Sequence, residues 1–346
     1  MNKQDTEAQI GIEIQSFLQG LGISLNLVQP LPSDASARRY YRLADKGRML
    51  MQEVPGSKDF NQYLIVAEHL FRLGFSVPQV FAVDHSNNLA LIEDFGDMTY
   101  TRAFAKGHSE SDLYALAIDT ILALHAHSEA TDVNLPEYDE PLLMEELTVF
   151  SQWFAPYVQP NIDVAEFEQR FLSFWQAPIK SVSGISDALV LRDFHVDNLM
   201  LLEGRSDIKA CGLLDFQDAV LGCAQYDLVS ILQDARRDLP EGLEETLLTQ
   251  YLTHRPELDT SLFMKRYWIL AAQRHARIAG VFIRLMKRDG KDNYLAFMPR
   301  VLKQLKTALN RAGFVELESF LQAELGEWWQ WLPATELTST TGDHNV

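Results

Sequence analysis

The sequence predicts an α+β chain of two lobes, a small antiparallel β-rich lobe followed by a larger, mostly helical one. Three observations predict it. Short strand-like runs punctuated by turn residues fill the chain up to Ile92. Helical periodicity takes over from about Ser111 and runs, with one interruption, to about Trp331. The interruption, Leu199 to Leu214, reads as a lone β-hairpin set among helices. The expected division is 1–96 for the β-rich lobe with its leading helix and 97–333 for the helical lobe. A tail, 334–346, is rich in Thr, Ser, Gly and Asp and is expected to fray.

Taken in order, Thr6 to Leu21 is an amphipathic helix, with Ile10, Ile14, Phe17, Leu18 and Leu21 on one stripe. Leu25 to Val28 is strand-like and leads through a Pro/Ser/Asp/Ala turn to Arg39–Leu43. After Asp45-Lys46-Gly47 comes Arg48 to Val54, ended by Pro55-Gly56. A helix from Phe60 to Leu73 stops at Gly74, a C-terminal signal. Gln79 to Val83 and Leu89 to Ile92, joined across Asn87-Asn88, form a hairpin. In the helical part, Leu113, Leu116, Ala117, Thr120, Ile121 and Leu124 form a stripe ending at His125. His125 and His127 read as core or capping groups. Further amphipathic segments occupy about Met144–Val158 and Ala165–Trp175, and helices resume near Tyr226. The six tryptophans are mostly core candidates.

A chain of 346 residues can bury two cores, and 47% apolar with 23% charged residues is ordinary for a globular protein. The formal charge of -18 argues against a nucleic-acid partner, because phosphate backbones demand a basic face. The two cysteines, Cys211 and Cys223, have no metal-type spacing and suggest no disulfide framework. Met1-Asn2-Lys3-Gln4-Asp5 carries no apolar signal region, and no run approaches the roughly 18 apolar residues of a membrane helix. A cytoplasmic monomer with a small-molecule partner and no membrane partner is expected.

The chemistry concentrates in Leu191-Arg192-Asp193-Phe194-His195-Val196-Asp197-Asn198 and in Gly212-Leu213-Leu214-Asp215-Phe216. Phosphoryl transfer from a magnesium nucleotide needs one carboxylate to accept the hydroxyl proton. It also needs a carboxamide and a second carboxylate to hold the metal. Asn198 stands five positions after Asp193, and Asp215 stands 22 after it. Leu199 to Leu202 forms one strand, Glu203 to Asp207 the turn and Ile208 to Leu214 the return strand, so Asp215 comes back beside Asn198. Asp and Asn are common turn residues, and an acidic loop before an ordinary hairpin is the bland reading. The ordered set, with strands where the chemistry requires them, favours phosphoryl transfer.

These residues resemble the aminoglycoside phosphotransferase/choline kinase-like branch of the protein-kinase-like fold. The resemblance spans about Leu31 to Leu305 and is strongest over Leu191 to Arg237. It also rests on Ser33-Asp34-Ala35-Ser36-Ala37-Arg38-Arg39-Tyr40-Tyr41-Arg42-Leu43, Leu214-Asp215-Phe216-Gln217-Asp218-Ala219, Tyr226-Asp227-Leu228-Val229-Ser230 and Asp234-Ala235-Arg236-Arg237. Within the branch it is similar to the kinases of bacterial cell-wall recycling that act on the anomeric hydroxyl of an amino sugar. The resemblance implies ATP or GTP and Mg²⁺ as cofactors. It makes Asp193 the catalytic aspartate, and Asn198 and Asp215 the metal ligands. Ile92, Glu93 and Phe95 fall in the hinge that pairs with the base. Ser33, Ala35 and Ser36 lie in the loop that covers the phosphates.

Departures from the family pattern are equally specific. Leu191 stands where the motif often has His, and the covering loop has no glycine. The family's strand lysine is missing: Met49 to Val54 contains none, and Lys3, Lys46 and Lys58 lie outside it. Arg38, Arg39 or Arg42 supplies the charge to the phosphates, or Arg38 and Arg39 only cover a strand face. Asp94-Phe95-Gly96 spells the kinase metal motif but precedes the catalytic loop, so it reads as hinge. His195 either braces the loop or meets phosphate or acceptor, and Asp197 joins the metal's outer shell or braces the loop. For the acceptor, Gln217, Asp218, Asp234, Arg236 and Arg237 are candidates. Arginine would pair with a sugar's carboxylate in a fixed fork, and Arg274 and Arg277 extend that pocket or remain solvated. Two rivals stay open: an aminoglycoside or other small alcohol as acceptor, which the bulk acidity favours, and a silent nucleotide-binding module.

Overall fold

The computed structural model describes residues 11–32, 38–44, 47–54, 57 and 59–331. Ser33, Ala35 and Ser36, the first part of the expected opening helix and the tail lie outside these residues. In chain order the elements begin with α1 (Ile12–Gly20), β1 (Val28–Pro30), β2 (Arg39–Leu43), β3 (Arg48–Gln52), α2 (Asp59–Arg72), β4 (Val80–Asp84) and β5 (Leu89–Glu93). They continue with α3 (Tyr100–Ala105), α4 (Glu110–Ala126), α5 (Glu140–Val149), α6 (Ala155–Val158), α7 (Val164–Lys180), β6 (Ala188–Val190), β7 (Leu199–Leu201), β8 (Cys211–Leu213) and β9 (Val220–Gly222). The helices α8 (Gln225–Leu232), α9 (Leu243–Thr253), α10 (Thr260–Asp289), α11 (Met298–Ala312) and α12 (Val315–Leu325) complete the series.

The chain divides into two compact units, each assembled from separate stretches. The first takes the described residues up to Asn134 together with Leu191–Ala219, and the second takes Leu135–Val190 and the described residues from Val220 onward. The expected lobes, cut after residue 96, group the Asp193 loop with the helices. The loop and its hairpin fall in the first unit with the small sheet.

In the first unit, five antiparallel strands lie in the order β1-β2-β3-β5-β4. Register sets which side chains share a face, because alternate residues of a strand point to opposite sides. Tyr41 pairs with Leu50, and Leu50 with Leu91. These side chains, with Leu43 and Leu89, are buried against Ile14 and Leu18 of α1. The opposite face carries Tyr40 and Arg42 of β2, Met49 of β3 and Ile92 of β5, with Arg42 opposite Met49 and Met49 opposite Ile92. The helix α4 starts on Ser109, whose hydroxyl accepts the N–H of Asp112, and ends at His127. His125 is buried, and the Nδ1 of His127 accepts the N–H of Glu129.

The β7–β8 hairpin is held along both edges. Leu213 donates its N–H to Ser76 O at 2.8 Å, and Leu201 donates to Met98 O at 2.8 Å. The return strand is shorter than expected. Asp207–Ala210 forms a 3₁₀ turn, with Asp207 in the left-handed region, and leaves only Cys211–Leu213 to pair. Cys211 is buried in that strand.

The second unit is helical around a short β6–β9 pair in which Leu189 faces Leu221. Neither strand was anticipated. Its core stacks Phe150 on Phe171, with ring centroids 5.1 Å apart, and Phe171 edge-on to Trp175. The single helix expected over Met144–Val158 is three pieces, because Phe150–Phe154 widens into a π-turn between α5 and α6. Gly280 of α10 lies against that turn: a Cβ there would stand 2.3 Å from the carbonyl oxygen of Val149. Glu146 is buried, and its carboxylate accepts from Tyr138, from Gln273 Nε2 at 3.1 Å and from Arg277 at 3.3 Å. Arg274 is buried with its guanidinium 5.4 Å over the Tyr226 ring. Of the tryptophans, Trp175 and Trp328 are fully buried, whereas Trp153, Trp268, Trp329 and Trp331 are only partly so. Among the described residues, no helix is long and apolar enough to cross a membrane.

Candidate active site

The loop ahead of β7 folds on its own backbone. Asp193 donates to Leu191 O at 2.8 Å, His195 to Asp193 O at 3.0 Å and Asn198 to His195 O at 2.9 Å. Arg192 adopts φ 66°, in the left-handed region, which turns the chain sharply just before Asp193. Leu214 donates to Asn198 O at 3.0 Å and closes the hairpin, so the next residue, Asp215, emerges beside Asn198. Asp215 is itself left-handed, at φ 58°.

The sequence-predicted trio therefore converges. Asn198 Nδ2 donates to the Asp193 carbonyl at 3.0 Å and faces Asp215 Oδ2 at 3.3 Å. With its amide N–H groups committed inward, Asn198 has Oδ1 left to offer a cation, next to the Asp215 carboxylate. Two hard oxygen donors and no nitrogen or sulfur suit Mg²⁺, which takes one or two protein ligands and completes its shell with water and phosphate. Among the described residues no cluster of three His, Cys, Asp or Glu side chains offers a rival metal site.

A cavity of about 290 Å³ opens above this pair. Met49, Ile92, Phe95 and Leu214 give it apolar walls, Tyr40 and Tyr63 an aromatic side, and Asn198 and Asp215 its polar floor. Apolar walls beside two hard oxygen donors suit the two halves of a nucleotide. Ile92, Glu93 and Phe95 are among its lining residues.

Two arginines fix the hinge. Arg42 forms a fork on Asp94, Nε to Oδ2 at 2.5 Å and Nη2 to Oδ1 at 3.1 Å, and reaches Asp97 at 3.0 Å and the Gly96 carbonyl at 3.2 Å. That guanidinium holds the Asp97 carboxyl below the usual carboxylate range. The Asp94-Phe95-Gly96 run follows β5, with its carboxylate engaged by arginine. Arg205, in the hairpin turn, binds Glu93 at 2.5 Å and Ser76 Oγ at 2.9 Å, and its guanidinium covers the Phe95 ring at 5.1 Å. No motif announced either clamp.

Arg38 is buried, with Nε 2.7 Å from Glu53 Oε2 and Nη1 3.0 Å from Gln217 Oε1. Gln217 Nε2 donates to Asp215 Oδ1 at 2.9 Å. Arg39 points to solvent. Of the three arginines weighed for the phosphates, Arg42 is paired with Asp94 and Asp97, Arg39 is exposed, and Arg38 alone reaches Gln217 beside Asp215. Glu53 escaped the sequence reading, yet its position was computable. The β2–β3 register pairs Arg39 with Gln52, so one step outward sets Arg38 opposite Glu53.

The acceptor candidates separate. His195 is buried, with Nε2 3.3 Å from Asn198 Nδ2, and its backbone braces the loop. Asp197 accepts from the Thr101 hydroxyl. Gln217 is engaged between Arg38 and Asp215, and Asp218 beside it is exposed. Asp234, Arg236 and Arg237 belong to the second unit. There Asp234 is buried and accepts from the Arg236 N–H at 3.0 Å and from its Nη1 at 3.3 Å.

The family model described as the phosphotransferase enzyme family matches residues 27–260. The chain belongs to that family. Among curated members, an N-acetylmuramate/N-acetylglucosamine kinase of Caulobacter vibrioides is 36% identical over 303 residues, covering 84% of this chain and 81% of its own. The protein of the same name from Pseudomonas aeruginosa is 33% identical over 312 residues, covering 86% of each. Among solved structures, an ADP-bound aminoglycoside phosphotransferase superposes with a TM-score of 0.59 at 15% identity, over 88% of this chain and 99% of its own. A choline/ethanolamine kinase family protein from Mesorhizobium loti gives 0.56 at 13% identity, over 86% of this chain and 92% of its own. This phosphotransferase therefore has the kinase-like fold that its sequence implied.

Proposed function

We propose that this phosphotransferase is a nucleotide-dependent sugar kinase that phosphorylates the anomeric hydroxyl of N-acetylmuramate and N-acetylglucosamine in peptidoglycan recycling. The observation that carries the reading is the Asn198 amide, which ties the Asp193 backbone to the Asp215 carboxylate, with Asn198 and Asp215 both lining a cavity of about 290 Å³. The two curated relatives, named for these sugars and similar over more than four-fifths of the chain, supply the substrate class. ATP or GTP is the phosphoryl donor, in keeping with the ADP-bound aminoglycoside phosphotransferase that superposes on this chain.

Asp193 accepts the proton of the sugar hydroxyl as its oxygen bonds to the γ-phosphorus and the bond to the β-phosphate oxygen breaks. It also orients that oxygen in line with the leaving group. An anomeric hydroxyl is more acidic than an ordinary alcohol, so a carboxylate base suffices. Asn198 and Asp215 would hold Mg²⁺, which when bound neutralises the charge on the phosphates. Ile92, Glu93 and Phe95 receive the base. His195 braces the loop. Asp234, Arg236 and Arg237 are assigned to the acceptor on their chemistry, since guanidinium forks suit the lactyl carboxylate of a muramate sugar. The two free thiols, Cys211 and Cys223, are buried, in keeping with a reducing cytoplasm.

Phosphorus NMR of the product made from N-acetylmuramate and nucleotide tests the proposal. A phosphate on O1, coupled to the anomeric proton, is the expected result. Turnover confined to aminoglycosides, the acceptors that the net charge of -18 favours, would replace it.

A further inference from the structure

The missing strand lysine leaves a question that the buried polar groups around Asp215 answer. Asp215 is exposed and left-handed, so neither packing nor regular backbone fixes its carboxylate. Two amides hold it: Asn198 Nδ2 faces Oδ2 at 3.3 Å, and Gln217 Nε2 makes the shorter bond, donating to Oδ1 at 2.9 Å. Gln217 is held in turn, because its Oε1 accepts from Arg38 Nη1 at 3.0 Å. Arg38 cannot drift, because Glu53 takes its Nε at 2.7 Å and both side chains are about 5% exposed. A second, apolar link runs in parallel. The Arg38 guanidinium lies 5.4 Å over the Tyr63 ring, and Tyr63 stacks on Phe216 at 5.1 Å. Asp215-Phe216-Gln217 is therefore gripped by one arginine at two points.

We propose that Arg38 and Gln217 are positioning residues, in which Arg38, anchored by Glu53, fixes Gln217, and Gln217 sets the orientation of the Asp215 carboxylate for the metal. This rests on the reading of the site as a nucleotide-dependent kinase. The division of labour suits the groups. Arginine has a planar fork that serves Glu53 and Gln217 at once, which a lysine ammonium on a flexible stem does not reproduce. Glutamine carries no charge, so it aligns Asp215 without neutralising it. A hydrogen-bonding partner behind a ligand is the usual device for orienting it.

The test is Mn²⁺ binding in the presence of ADP, followed by electron paramagnetic resonance, on wild-type protein, Gln217→Leu and Arg38→Lys. For Gln217→Leu we expect Mn²⁺ binding to the ADP complex to weaken about tenfold, while metal-free ADP binding stays within about twofold. Arg38→Lys, which keeps the charge but not the fork, should weaken it in the same direction. It serves in place of a charge-deleting change that would strand Glu53 in the interior. Wild-type Mn²⁺ affinity in Gln217→Leu would overturn the proposal. So would an equal loss of metal-free ADP binding, which would make Gln217 a nucleotide contact. A wild-type protein that binds ADP with no effect of Mn²⁺ would overturn the kinase reading itself, and the relay with it.

Discussion

Arg192 and Asp215 are two of four non-glycine residues with positive φ among the described residues, and they stand at the two ends of the loop and hairpin that carry Asp193 and Asn198. Such conformations cost on the order of 1–3 kcal/mol each and persist only where the surroundings hold them. Here the holding contacts are the loop's own hydrogen bonds and the Gln217 amide. The backbone is bent to deliver Asp193, so replacing its charge should leave the bend intact. Asp193→Asn is expected to lower kcat by about a thousandfold while nucleotide affinity stays unchanged, as is usual for loss of a positioned base. Steady-state kinetics with calorimetric nucleotide titration checks this, and a fully active variant would remove Asp193 from the mechanism. Asp193, Asn198 and Asp215 could be read directly because a short loop and one hairpin separate them. Glu53 could not be read without the strand register. Nor could Arg205, whose partner Glu93 lies more than a hundred positions away.

Elements bounded by strong local signals came through closely. The β2 strand spans Arg39–Leu43 as its tyrosine-rich run and flanking turns predict, and α2 ends just before Gly74. Those set by distant partners did not. The three-residue strands β6 and β9 pair across about thirty residues of intervening chain, and a run as short as Ala188–Val190 has no period to detect. The π-turn at Phe150–Phe154 is likewise a tertiary effect, placed where α5 meets Gly280 of α10. There the backbones approach so closely that only a hydrogen fits. Gly280→Ala, although it raises intrinsic helix propensity, is expected to destabilise the protein by about 3 kcal/mol or more, because backbone atoms cannot yield as a side chain can. Chemical denaturation reads the loss directly. Wild-type stability in that variant would show that the helices can part without penalty.

Over the molecule as a whole, the acidity read from composition says little about where pH acts. One buried base says more. His275 lies within α10 and donates from Nε2 to Gln233 Oε1 at 2.8 Å. Burial, aided by the adjacent Arg274, lowers its pKa from the ordinary 6.5 to about 3. Below pH 6.5 the unfolded chain takes up a proton that the folded chain refuses. Stability present at neutral pH is therefore lost as the pH falls toward 3. Between pH 7 and pH 5 this amounts to about 2 kcal/mol. Melting temperatures across that range should fall for the wild type and flatten for His275→Gln, and equal slopes would exonerate the histidine.

The interleaving of the two units along the chain governs something else, the order in which the protein can be made. Leu135–Val190 leaves the ribosome before the segment that completes the first unit. The amino-terminal portion must wait, half built, while a stretch belonging to its neighbour is synthesised. Any message cut short before Leu191 yields the five-stranded sheet without the loop and hairpin that carry Asp193, Asn198 and Asp215.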